Sequence, residues 1–337
     1  GKAYEYFLKA SQNGSGYGSY SCGFILMKGS SDIPRDIEKG LSMFRLAVEQ
    51  NYKAATRDLA RYYYSLETEE DNRKALDYYL QYIEYNPKDT DTLLHIGLIY
   101  ESGLGVPLNI DLARRYYERA AEQDETGMAY NFLGGTYMND EETENNERKA
   151  VHYFQKAIEL GNTNAMFRIS YYLHNGKGGL QVDIPREIEL LTEASKRGNH
   201  QATYRLGLLF EDNESGMAQN LELSVKYFQL AADNGILAAI NKMGELYLFG
   251  EVIPANLTKA ISCFTAASEQ GYGKASYWLG RLHTDGIGQL EKDTQKAMNY
   301  YRKAIEQGYE EAREWMEQLQ KNLVDETITD IEIPQDK

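Results

Sequence analysis

The stretch Leu93-Leu94-His95-Ile96-Gly97-Leu98-Ile99-Tyr100-Glu101-Ser102-Gly103-Leu104-Gly105-Val106-Pro107-Leu108-Asn109-Ile110-Asp111-Leu112-Ala113-Arg114-Arg115-Tyr116-Tyr117-Glu118-Arg119-Ala120-Ala121 decides the fold. It opens with a bulky apolar residue against a glycine, Ile96-Gly97, then reaches a Gly-x-Gly turn at Gly103–Gly105. Asn109 follows, a residue type whose side-chain oxygen caps free backbone N–H groups at a helix start. The bulky pair Tyr116/Tyr117 then stands three to four positions before Ala120. That i, i+3, i+4 stripe is what an amphipathic helix needs. The segment therefore reads as one helix (A), a turn and a second helix (B).

The same grammar recurs outward in both directions. The small residue of helix A falls at Gly23, Ala60, Gly97, Gly134, Ser170, Gly207, Gly244 and Gly280, in steps of 36 or 37, with Met316 closing the series. Helix B is expected to start at Asp36, Asp71, Asn109, Asn146, Asp183, Asn220, Asn256 and Asp293. It is expected to end 15 residues later at Asn51, Asn86, Asp124, Gly161, Gly198, Gly235, Gly271 and Gly308, types that tolerate a left-handed turn. Gly14 ends a further helix B that the chain enters part-way. Inside helix B, Ala10, Ala47, Ala120, Ala157, Ala194, Ala231, Ala267 and Ala304 follow bulky pairs, with Tyr82 the exception. A single helical hairpin cannot bury both faces, so neighbours must stack.

The expected architecture is thus all-α. It is a right-handed superhelical solenoid of antiparallel helix pairs, read as one array of eight to nine repeats. Residues 1–14 form a partial repeat (the second helix only), 15–308 eight helix pairs and 309–321 a capping helix. Residues 322–337 form an acidic tail expected to be flexible, since chain ends fray. The shortest connection and Pro87 lie within 66–90, where a small kink or change of pitch is expected.

These columns resemble the Sel-one-like repeat family, relatives of the tetratricopeptide repeats. Ile96-Gly97, Tyr100, Gly103-Leu104-Gly105-Val106, Ala113, Tyr116-Tyr117 and Ala120-Ala121 match its pattern. So do Ala275, Leu279-Gly280, Gly286-Ile287-Gly288, Lys296-Ala297, Tyr300-Tyr301, Ala304 and Gly308. The Gly-x-Gly loop is degraded at Glu67-Thr68-Glu69, Asn139-Asp140-Glu141 and Asp212-Asn213-Glu214. The resemblance implies scaffold, adaptor, effector or immunity roles. A cysteine-rich branch of the family carries one disulfide per repeat. With two cysteines, Cys22 and Cys263, this chain does not fit that branch.

Composition excludes several classes. The 36 Lys and Arg against 51 Asp and Glu give a net charge of −15. Such a polyanion repels nucleic-acid phosphate and anionic lipid, so no nucleic-acid partner is expected. No run of apolar residues is long enough to span a bilayer, so no membrane insertion is expected. Unpaired cysteines and the lack of a secretory signal in this chain lean toward a cytoplasmic setting. The mid-repeat opening leaves an upstream segment, and with it a periplasmic or secreted setting, open.

No catalytic pattern emerges from the residues. His95, His152, His174, His200 and His283 stand in no HExxH motif and beside no cysteine, and no nucleotide loop or nucleophile elbow is present. No catalytic, cofactor-binding or metal-ligating residue is assigned, and no small-molecule substrate is expected. His283 takes the slot that Tyr100 holds in its own repeat, so it is expected to be a core substitute. Cys22 and Cys263 are expected to be buried inert thiols. The acidic loops at 67–71 and 140–147 lack the alternating ligand spacing of a calcium loop.

A partner protein or peptide is expected to lie along the concave face made by helices A. By analogy with tetratricopeptide repeats, the contacting positions are three before, one after and four after the small residue. They are Tyr20, Phe24 and Met27; Arg57, Arg61 and Tyr64; Leu94, Leu98 and Glu101; Asn131 and Met138; and Phe167, Tyr171 and His174. Further along they are Tyr204, Leu208 and Glu211; Asn241, Glu245 and Leu248; and Tyr277 and Arg281. Aromatic and Arg side chains exposed together are what interface hot spots use. Arg57 and Arg61 are expected to clamp a carboxylate. The reading is a non-catalytic interaction scaffold. Two alternatives stand beside it: an inhibitor or immunity-type protein whose acidity suits a basic target, and a regulatory or recruiting arm of a larger protein.

Overall fold

A computed structural model describes residues 1–141, 143–212, 219–288 and 290–331, with side chains up to Leu323. Among these residues there are 18 α-helices and no strand. They fall into two compact units, Gly1–Val182 and Asp183–Lys337. The first holds α1 (Lys2–Gln12), α2 (Gly16–Lys28), α3 (Ile37–Glu49), α4 (Ala54–Tyr64), α5 (Glu69–Tyr85), α6 (Thr90–Ser102), α7 (Ile110–Ala121), α8 (Met128–Met138), α9 (Glu144–Glu159) and α10 (Thr163–Asn175). The second holds α11 (Ile184–Lys196), α12 (His200–Glu211), α13 (Leu221–Asp233), α14 (Leu237–Phe249), α15 (Leu257–Glu269), α16 (Gly273–Asp285), α17 (Thr294–Glu306) and α18 (Ala312–Ile331). Even-numbered helices are the A helices and odd-numbered ones the B helices of a helix-pair solenoid.

The small residue of helix A is small because a ring lies on it. A Cβ added at Gly134 would stand 2.6 Å from the ring of Phe154, and one at Gly207 2.6 Å from the ring of Phe228. Both rings are fully buried. From α3 onward the second member of the bulky pair is therefore the core residue: Phe44, Tyr79, Tyr117, Phe154, Leu191, Phe228, Phe264 and Tyr301 are all buried. The first member stays half-buried in most repeats, as at Met43, Tyr78, Tyr116 and Tyr227. In α18 the column ends at Met316, which packs on the last cluster around Tyr301.

Six of the expected B-helix caps are in place. Asp36, Asn109, Asp183, Asn220, Asn256 and Asp293 each accept from the backbone N–H three residues on. Two are corrected. Helices α5 and α9 begin a turn early, capped by Thr68 and Thr143, whose hydroxyls accept from the N–H groups of Asp71 and Asn146. Their repeats lack the Gly-x-Gly loop, and a threonine three residues upstream supplies the capping oxygen instead.

At the helix-B ends, Asn51 and Gly14, Gly161, Gly198, Gly235, Gly271 and Gly308 have left-handed backbone. Asn86 and Asp124 do not. Asn86 precedes Pro87, whose ring pushes it toward extended geometry, with φ −132°. Asp124 acts as a cap for the next helix, its carboxylate accepting from Ala129 N–H at 2.7 Å.

Helix α18 departs from the expected boundary. It runs ten residues past 321, through most of the stretch read as a flexible tail. Neither Gly nor Pro occurs between 312 and 331 to stop it. Residues 332–337 lie outside the described residues, as do Asn213 and Glu214 of the third degraded loop.

One device was not legible in the repeat pattern. Ser11 and Ser19 share a buried hydroxyl contact of 2.6 Å. The side chain of Gln50 accepts from Ser19 and donates to the Ser11 carbonyl. Ser268, Ser276 and Gln307 repeat the arrangement in the second unit. Each set ties a B helix, the following A helix and the end of the next B helix.

Candidate functional site: the face of the A helices

The three expected rows of the A face separate by burial. The row three before the small residue is largely consumed by packing. Leu94, Asn131, Asn241 and Tyr277 are buried, which corrects their assignment as contact residues. Tyr20, Arg57, Phe167 and Tyr204 are half-buried. Some members of this row reach the next A helix or its cap: Arg57 meets Asp89, and Tyr277 meets the Trp315 ring. Tyr20 donates to Asp58 of α4 at 2.8 Å and stacks on Phe44. Burial first, then the Asp58 carboxylate, pushes its phenol up to about 12.

The row one after the small residue faces outward. Phe24 is 53% exposed and Tyr171 41%. Arg61 is also exposed, and Leu98, Leu208, Glu245 and Arg281 are half-buried. In the row four after, Met138 is 38% exposed. Met27, Tyr64, Glu101, His174, Glu211 and Leu248 are half-buried. Tyr64 lies edge-on to Tyr79 and to His95, and His95 stacks on Tyr79. The carboxylate of Glu101 is engaged by the hydroxyl of Tyr117 at 2.6 Å.

The charges of this face are already paired. Arg57 meets Asp89 at 3.3 Å and Arg61 meets Asp91 at 2.6 Å, both acids lying at the start of α6. The expectation of a free carboxylate clamp is therefore corrected: the repeat geometry places the next A helix's acids where a ligand carboxylate would sit. The bond from Asp91 raises the pKa of Arg61, holding its charge more firmly.

In the second unit, Glu211 pairs with Lys242 at 2.8 Å. Glu245 pairs with Lys274 at 2.8 Å and accepts from the Trp278 indole at 2.9 Å and from Asn241 at 3.0 Å. Burial works to lower the Lys274 pKa, but the bond and charge of Glu245 outweigh it and raise it. Arg281 lies 3.9 Å over the Trp315 ring and also reaches Tyr277 and Asp285.

Sequence reading missed the partners Asp58, Asp89, Asp91, Lys242, Lys274, Trp278 and Trp315. A signal was present: opposite charges recur 29 to 32 residues apart along successive A helices. The other singled-out groups sit in the framework. His283 stacks on Tyr300 with rings 7° from parallel, as Tyr100 stacks on Tyr116. Cys22 is buried and Cys263 half-buried, and burial raises both thiol pKa values. Among the described residues no helix is long and apolar enough to cross a membrane, and no group of three or more His, Cys, Asp or Glu is arranged to hold a metal ion.

Comparison with known proteins adds family context. The Sel1 repeat pattern matches residues 1–15, 17–52, 53–81, 92–125, 127–162, 163–199, 200–236, 237–272 and 273–309. The Sel1-repeat-containing protein YjcO of Escherichia coli (strain K12) is 33% identical over 78 residues, 23% of this chain and 34% of that protein. The chain thus spans about a third of the length of this curated relative. A Sel1 repeat protein from Oxalobacter formigenes has the same fold, with a TM-score of 0.69 and 24% identity over 95% of this chain and 91% of that one. A protective antigen of uropathogenic Escherichia coli strains displaying an SLR fold gives a TM-score of 0.63 and 21% identity, covering 93% of this chain and 66% of that one. Sel1 repeats generally mediate contacts between proteins.

Proposed function

Because the chain belongs to the Sel1 repeat family, we propose that it is a non-catalytic scaffold that holds a partner protein against the A-helix face of its first unit. The observation that carries this reading is the exposure of Phe24 and Tyr171 in one row of the A face and of Met138 in the next. Large apolar side chains stand outward there, beside charges that the fold has already neutralised. A partner would meet apolar anchors in a surround whose polar groups need no new counterion, the usual composition of a binding hot spot and its rim. Burying one such aromatic stabilises a complex by roughly 1.5–3 kcal/mol.

The test is capture from native lysate with wild type beside Phe24→Glu/Tyr171→Glu, read by quantitative mass spectrometry. These side chains are exposed, so the variant keeps its fold, which circular dichroism checks. Selective loss of one protein from the variant supports the reading. Equal recovery of every captured protein by both chains overturns it. Arg61→Glu is a poor probe, because it disrupts the pair with Asp91 inside the protein.

A further inference from the structure

A second surface lies in the second unit, between two B helices and the A helix that separates them in sequence. Helices α13, α14 and α15 and the loop before α15 enclose a cleft of about 620 Å³. Its apolar wall is made by Leu230, Met243, Tyr247 and Ile253. Leu230 is 47% exposed. It stands immediately before the helix-B alanine, a position held by a charged residue in five other repeats (Lys9, Arg119, Lys156, Glu193 and Lys303), by Leu46 in α3 and by Ala266 in α15. Leu46 is half-buried, whereas Leu230 is left exposed at the cleft.

Two lysines, Lys226 and Lys259, flank the wall. Among the described residues neither has a carboxylate within 4.0 Å, although the protein carries a net charge of −15. The reason for Lys259 is visible in the sequence. The lysine three residues after the cap pairs with an aspartate cap in α3 (Asp36–Lys39, 3.3 Å) and α17 (Asp293–Lys296, 3.5 Å). In α15 the cap is Asn256, which caps equally well but carries no charge. Lys259 instead lies over the Tyr247 ring at 5.1 Å, at the cleft wall. The cleft's carboxylate, Asp233, is engaged by the Gln229 amide at 2.7 Å.

We infer that this cleft is a docking site for a linear segment of a partner protein that places an apolar side chain between carboxylates. The apolar residue enters against Leu230, Met243 and Tyr247, and its acidic flanks meet Lys226 and Lys259. Charge complementarity selects the occupant: two unpaired cations beside one engaged carboxylate favour an acidic segment and disfavour a basic one. The protein's overall negative charge is screened beyond about 8 Å at physiological salt, so the local pair of lysines decides.

The test uses a panel of fluorescein-labelled twelve-residue peptides with one to three Leu, Phe or Trp residues among Asp and Glu. A matched panel carries Lys in place of the acids. Fluorescence polarisation is read with the full chain. Saturable binding of acidic peptides is expected, weakened about tenfold by Lys226→Glu/Lys259→Glu. Binding should also weaken in Leu230→Asp. It should be kept in Lys2→Glu/Lys196→Glu, which has the same net charge, and in Phe24→Glu/Tyr171→Glu, which alters the A-helix surface of the first unit. Absence of saturable binding overturns the inference. So does equal binding of the basic panel, or equal loss in the charge-matched control.

Discussion

The A helices of the two units use the same staple with opposite polarity. In the first, α4 supplies the cations Arg57 and Arg61, and the start of α6 the acids Asp89 and Asp91. In the second, α12 and α14 supply the acids Glu211 and Glu245, and α14 and α16 the cations Lys242 and Lys274. Sign is therefore interchangeable while spacing is not. In both, the opposite charge stands about 30 residues on, within the next A helix or at its cap. The two staples also differ in depth. The Arg61 and Asp91 side chains are 44% and 47% exposed, whereas that of Glu245 is 13% exposed and holds three partners. A wet pair adds little to stability, and a buried carboxylate with several donors adds more.

The largest expected effect tests what the two units share beneath these staples. Phe154→Ala and Phe264→Ala each remove a ring seated on a glycine, and each should cost about 3–5 kcal/mol in chemical denaturation. A several-fold inequality would show that the ring-on-glycine contact is not equivalent in the two units. Next, Glu245→Ala should cost about 2–3 kcal/mol, because it strands the Trp278 indole and the Lys274 ammonium. Arg61→Ala should cost at most about 1 kcal/mol. Equal costs would erase the distinction in depth.

Polarity is tested by reversal. Arg61→Asp alone faces Asp91 and Asp58 with a like charge, and adding Asp91→Arg should recover about 0.5–1 kcal/mol, fading in high salt. No recovery would mean that sign as well as spacing is specified.

The smallest effect concerns the slot shared by Tyr100 and His283. Burial first, and Lys296 next, depress the His283 pKa below the ordinary 6.5. The unfolded chain then binds the proton more readily, so stability is full above about pH 6.5 and falls as the pH drops toward the depressed folded value. Wild type should therefore lose more melting temperature between pH 7.5 and 5.5 than His283→Tyr. Identical slopes would mean that the ring titrates freely.

Much of this molecule is local and hence written along the chain. Helix spacing, the small column at Gly97 and its equivalents, and most caps follow from periodicity and from side-chain chemistry acting within a few residues. The sequence features behind the corrected boundaries are local too: Thr68 and Thr143 sit one turn ahead of the expected caps, Asn86 precedes a proline, and no breaker stands in α18. The A face was legible only by row. Phe24, Met138 and Tyr171 were found as exposed side chains, whereas Leu94, Asn131, Asn241 and Tyr277 were not recognised as buried.

By itself, then, the sequence determined the repeat, its helices and the rings that fill its core, because these depend on apolar spacing within one helical hairpin. Only the tertiary structure decided which charges were already spent and which surfaces remained open. Those outcomes depend on what the next hairpin, about 30 residues away, brings within 3 Å of Arg61 or Glu245, and on what Asn256 fails to bring to Lys259.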